Sequence, residues 1–82
     1  MAYELFISEE ARDQLRALPQ ELRKNIGYCI HLLQQEFSGD IKKLEGQRNH
    51  YRLRVGGHRI LFRTDANTIE VYAVKQRKDA YE

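Results

Sequence analysis

Two six-residue runs, His50-Tyr51-Arg52-Leu53-Arg54-Val55 and His58-Arg59-Ile60-Leu61-Phe62-Arg63, are separated only by Gly56-Gly57. A diglycine between alternating runs is a strong β-hairpin signal, because turns that match strand twist need positive φ angles. A two-residue turn also sets the register. Val55 then faces His58, Arg54 faces Arg59, Leu53 faces Ile60, Arg52 faces Leu61, Tyr51 faces Phe62 and His50 faces Arg63. Side chains alternate across a strand with period two, so Tyr51, Leu53, Val55, Ile60 and Phe62 share the face that must be packed. The other face carries His50, Arg52, Arg54, Arg59 and Arg63.

The rest of the chain arranges itself around this hairpin. Tyr3 to Ile7 is β-prone, and Ser8 followed by Glu9 and Glu10 is a helix start with acids in its first turn. Ala11, Leu15 and Leu18 mark the buried stripe of a short helix that Pro19 ends. A second helix follows, with Leu22, Ile26, Cys29, Ile30, Leu33 and Phe37 on one face, until Ser38-Gly39-Asp40. Cys29 is thereby placed in the core, with nothing beside it in sequence to activate a thiol. Polar residues 42–49 predict a loop. A turn at Asp65-Ala66-Asn67 leads to a last strand, Thr68 to Val74, and a polar tail. The expected architecture is α+β: an antiparallel four-stranded sheet in β-α-α-β-β-β order with an N-terminal helical hairpin on one face.

Eighty-two residues make one domain, residues 1–82, with a small core. No apolar run approaches the ~18 residues of a membrane span, and the N-terminus lacks a signal-peptide layout, so a cytoplasmic protein without membrane contact is expected. One cysteine excludes an internal disulfide, and no Cys/His spacing fits zinc; no cofactor or metal is expected. The formal net charge of +2 conceals a division. Residues 1–41 hold four basic and seven acidic residues, whereas residues 42–82 hold ten basic and five acidic. A cationic C-terminal half points to a polyanion.

Arg54 opposite Arg59 is a like-charge pair that costs several tenths of a kcal/mol without a counter-charge. Arginine is planar, permanently charged and bidentate toward phosphate, so arginines crowded on one sheet face suit a ribose-phosphate chain. Tyr72 is an aromatic whose face the hairpin does not fix. Tyr81 lies in the tail with Arg77 and Lys78.

Lys43-Leu44-Glu45-Gly46, Tyr51 to Ile60, and Val74-Lys75-Gln76-Arg77-Lys78-Asp79-Ala80-Tyr81, in this order and spacing, resemble the RelE branch of the RelE/ParE toxin superfamily. The resemblance covers nearly the whole chain. It implies the toxin of a type II toxin–antitoxin system: a ribosome-dependent endoribonuclease that cuts mRNA without metal and is held inactive by a cognate antitoxin. The family's catalytic positions correspond to Arg52, Arg54, Arg59, Arg77 and Tyr81; His50 and Arg63 on the same sheet face and Lys78 in the tail read as further RNA contacts. Its partners would be the antitoxin, the ribosome and mRNA, with no DNA binding by the toxin alone. Many relatives carry Gly-His where this chain has Lys75-Gln76, which leaves the proton carrier open between Tyr81 and His50. His58 leans toward the core by parity and reads as structural. Two alternatives stand beside the nuclease: a ParE-like inhibitor of DNA gyrase, and an RNA- or ribosome-binding module without chemistry.

Overall fold

The computed structural model describes residues 2–76. In chain order the elements are β1 (Glu4–Ile7), α1 (Glu9–Arg16), α2 (Gln20–Glu36), β2 (Asp40–Lys43), β3 (His50–Val55), β4 (His58–Asp65) and β5 (Thr68–Gln76). The strands form one sheet in the order β1-β5-β4-β3-β2. β2 through β5 are an antiparallel meander, whereas β1 joins β5 in parallel.

The architecture is α+β as expected, but the sheet has five strands and mixed direction instead of four antiparallel ones. The added strand is β2, in a stretch read largely as loop. Of its residues Asp40, Ile41, Lys42 and Lys43, only Ile41, opposite Leu53, is partly buried. An edge strand with charged neighbours is a usual guard against edge-to-edge association, and it leaves too little apolar alternation to read as a strand. The parallel pairing of β1 follows from the helices. They carry the chain across one face, from the β1 edge of the sheet to the β2 edge, so the meander returns toward β1.

Ser8 caps α1 through its side-chain oxygen, which accepts from the Ala11 N–H at 3.1 Å. Its hydroxyl also donates to the Tyr72 carbonyl, while Gln14 Oε1 accepts from the Val74 N–H. α1 thus satisfies the outer edge of β5 beyond the end of the shorter β1, where backbone groups would otherwise lack partners. α2 ends at Phe37, whose left-handed φ of 51° keeps its ring in the core. That ring meets Tyr3, Tyr51 and Phe62 at centroid distances of 5.5–5.9 Å.

Ala11, Ile26, Ile30 and Leu33 from the helices pack on Leu53, Ile60, Phe62, Ile69 and Val71 from the sheet. Cys29 packs against this core, as its spacing predicts, but Leu22 is exposed. Leu22 lies in the first turn of α2, beyond the reach of the sheet. Gly39 precedes β2 with φ 135°, and a Cβ there would stand 2.8 Å from the Leu53 side chain. Among the described residues no helix is long and apolar enough to cross a membrane.

Candidate nucleic-acid interface

The β3–β4 pairing has the predicted register at all six positions, from His50 opposite Arg63 to Val55 opposite His58. Tyr51 and Phe62 stack against each other in the core, 5.4 Å apart and 14° from parallel, so neither offers a ring to a ligand. The helices cover that face and leave the arginine face open.

Register across the strands arranges the open face in rows. One row runs Asp40, Arg54, Arg59, Lys75; the next runs Lys42, Arg52, Leu61, Ala73. β2 therefore contributes Lys42 beside Arg52, and β5 contributes Lys75 beside Arg59. Neither lysine follows from the hairpin alone. Lys75 reaches this face because of a bulge: Leu61 pairs with Ala73, but Phe62 pairs with Val71, leaving Tyr72 as the extra residue. The sequence carries a trace of it, since the buried residues Ile69, Val71 and Val74 are spaced by two and then by three.

Lys42, Lys43, Arg52, Arg54 and Arg59 line a cleft of about 400 Å³ with Leu44 and Leu61, and its one acidic lining residue is Glu45. Arg59 is 7% exposed, a rare setting for a guanidinium, and it supports the middle of the cleft. Arg52 is half-buried, and its Nη1 has no hydrogen-bond partner among the described residues. A buried, unsatisfied charged donor is costly, so Arg52 is held at an energetic expense beside the cleft. Asp40 stands opposite Arg54 in the β2–β3 register, yet the ion pairs found among the described residues, Arg16–Asp13 and Arg63–Glu70, include neither Arg52 nor Arg54.

The other end of the open face differs. Arg63 donates to Glu70 at 2.5 Å, so the cation read from the sequence as an RNA contact has a carboxylate of its own. His50 Nδ1 lies 3.0 Å from the Tyr72 hydroxyl, with the rings edge-to-face. Burial raises the Tyr72 pKa above its ordinary value, and the nearby Arg63 charge opposes that rise. The hydroxyl therefore keeps its proton at neutral pH and holds the His50 ring in place. His58 is half-buried on the core side. Arg77, Lys78 and Tyr81 lie outside the described residues. Among the described residues, no three His, Cys, Asp or Glu side chains cluster as metal ligands.

A mixed sheet backed by two helices is the fold that this chain shares with solved toxins of toxin–antitoxin pairs. The sequence model of the family described as "ParE toxin of type II toxin-antitoxin system, parDE" matches residues 5–81. Toxin RelE3 of Methanocaldococcus jannaschii is 35% identical over 83 residues, spanning 95% of this chain and 93% of the relative. The toxin fold in the RelB–RelE antitoxin–toxin complex from Methanococcus jannaschii superposes with a TM-score of 0.79 at 31% identity, covering 93% of this chain and 94% of that one. The archaeal RelE–RelB complex from Pyrococcus horikoshii OT3 gives 0.81 at 25% identity, covering 94% and 97%. The chain belongs to the RelE/ParE family of type II toxins and is of the RelE type.

Proposed function

We propose that this toxin is a ribosome-dependent endoribonuclease that cuts mRNA, with Arg52, Arg54 and Arg59 gathered around the scissile phosphate. The observation that carries this reading is the cleft lined, among the described residues, by five cationic residues and one carboxylate. In the reaction, the ribose 2′-oxygen bonds to the adjacent phosphorus as the bond to the 5′-oxygen breaks. The products are a 2′,3′-cyclic phosphate and a 5′-hydroxyl. Negative charge grows on the phosphoryl oxygens in the transition state, where fixed guanidinium donors stabilise it more than they stabilise the ground state.

A proton must leave the 2′-hydroxyl and another must reach the departing 5′-oxygen. Arginine stays protonated and serves poorly as a base. His50, whose ring is oriented by Tyr72, is the imidazole on the same face and one candidate for moving these protons, and Tyr81 is the other. Arg77 and Lys78 extend the phosphate contacts. No metal takes part in this scheme.

A cognate antitoxin keeps the toxin silent. Its docking surface is the groove of about 490 Å³ between β1 and the helices, where Leu5, Ile7, Leu15 and Ile30 form the floor and Arg12 and Arg23 the rim. An amphipathic helix with acidic flanks fits such a groove, and opposite charge speeds its capture. The M. jannaschii and P. horikoshii relatives were solved as complexes with RelB.

Mapping mRNA ends on stalled ribosomes after expression tests the main reading. Cuts at fixed codon positions that vanish in Arg52→Ala and Arg59→Ala support it. Intact mRNA with accumulating gyrase–DNA cleavage complexes would support the ParE-type alternative, and intact mRNA with ribosome binding alone would support a module without chemistry.

A further inference from the structure

We propose that the end of the open face around Phe6 is a nucleobase subsite, which holds the base of a nucleotide at least two steps along the strand from the one whose phosphate sits in the arginine cleft. The inference rests on the RNA-cutting reading and assigns to it a contact that the cationic cleft does not provide.

Phe6 is 52% exposed, although β1 is otherwise turned toward the core through Leu5 and Ile7. It stands opposite Glu70, which pairs with Arg63, which in turn faces His50. These four residues form the row next to the one that holds Arg52. Phe6 lies one row from Arg52, about 7 Å along the strands, and three strands across, about 14 Å, so it stands about 16 Å from Arg52, the scale of two nucleotide steps or more. Phe6 borders a second cleft, of about 530 Å³, within the range of small-ligand sites.

Charge separates the two clefts. The Phe6 cleft contains Arg48 and Arg63 together with Asp65 and Glu70, so its charges balance, and Asn49 supplies an amide at the wall. A balanced set of donors and acceptors around an aromatic ring suits the polar edge and flat face of a base. It does not suit a phosphate, for which the neighbouring cleft is charged. Stacking on an aromatic side chain tolerates any base, so the subsite would add affinity with little sequence selection.

The test uses the full-length toxin and a single-stranded RNA hexamer in which 2-aminopurine replaces each base in turn. Stacking on Phe6 should quench fluorescence at one position, and Phe6→Leu should abolish that quench and weaken hexamer binding about tenfold. Phe6→Trp should restore both, which separates loss of a ring from loss of fold. Arg52→Ala should weaken binding at every position while keeping the quenched one. A quench unaffected by Phe6→Leu, with binding still dependent on Arg52, overturns the base subsite and leaves the nuclease reading standing. Binding that depends on Phe6 but not on Arg52 keeps the subsite and removes the nuclease reading. A wild-type toxin that binds no hexamer overturns the base subsite and leaves the ribosome-dependent reading to the mRNA-end mapping.

Discussion

The two ends of the open sheet face both carry arginine, three at one end and Arg63 at the other, and differ in what stands beside them. At the Arg52–Arg54–Arg59 end, neighbouring strands add lysines and the cleft holds one carboxylate. At the Arg63 end, β5 supplies Glu70 at hydrogen-bond distance, and the surface becomes neutral and aromatic. Arg63 is thus paired by the carboxylate that β5 brings beside it, whereas Arg54 makes no ion pair among the described residues although β2 sets Asp40 opposite it.

The largest expected effect contrasts the two ends directly. Arg52→Ala should slow codon-positioned cleavage on the ribosome by about 100-fold, the usual loss when one transition-state donor is removed. Arg63→Ala should cost less than about threefold in the same assay. Equal losses would break the distinction.

The support beneath the cationic end comes next. Gly39→Ala places a methyl group 2.8 Å from Leu53 at a φ that side chains avoid. It should lower unfolding stability by about 1–3 kcal/mol in urea titration, by shifting β2 and with it Lys42. Retention of full stability would show that β2 is not held as described.

Removing the carboxylate at the other end sharpens the contrast. Glu70→Gln leaves Arg63 unneutralised and should strengthen single-stranded RNA binding a few-fold, with a salt slope steeper by about 0.7 if Arg63 gains one phosphate contact. An unchanged slope would mean that Arg63 is held away from RNA for another reason.

The smallest effect concerns pH. The folded-state pKa of Tyr72 is raised, so its contribution to stability is complete below the ordinary tyrosine pKa near about 10 and is lost as pH climbs through the raised value. Melting temperatures measured from pH 8 upward should fall less steeply at the alkaline end for Tyr72→Phe than for the wild type. Parallel curves would refute the burial of this hydroxyl.

The hairpin was legible because Gly56-Gly57 leaves only one register, and that register alone placed Arg52, Arg54 and Arg59 together. The helices were legible from Ser8, Pro19 and the apolar spacing. β2 was not, because a charged edge strand with one partly buried residue shows no alternation. Its pairing with β3, and hence Lys42 in the cleft, depends on contacts distant in sequence. The bulge at Tyr72 was hidden for a related reason. One extra residue moves Val74 inward and Lys75 outward, and local propensity does not show which residue is extra. The Arg63–Glu70 bond needed the β4–β5 register, which the turn at Ala66-Asn67 fixes with Ala66 at φ 54°.

The parallel contact between β1 and β5 joins strands far apart in sequence, with Glu4 beside Thr68 and Ile7 beside Val71. Loop closure over such a separation slows folding, and β1 has no partner until residues 68–76 have left a translating ribosome. A nascent copy therefore keeps its sheet unfinished until β5 has been made. Force-sensing arrest assays on chains stopped before residue 68 should detect no folding of the sheet, and a folding signal there would refute this order of events.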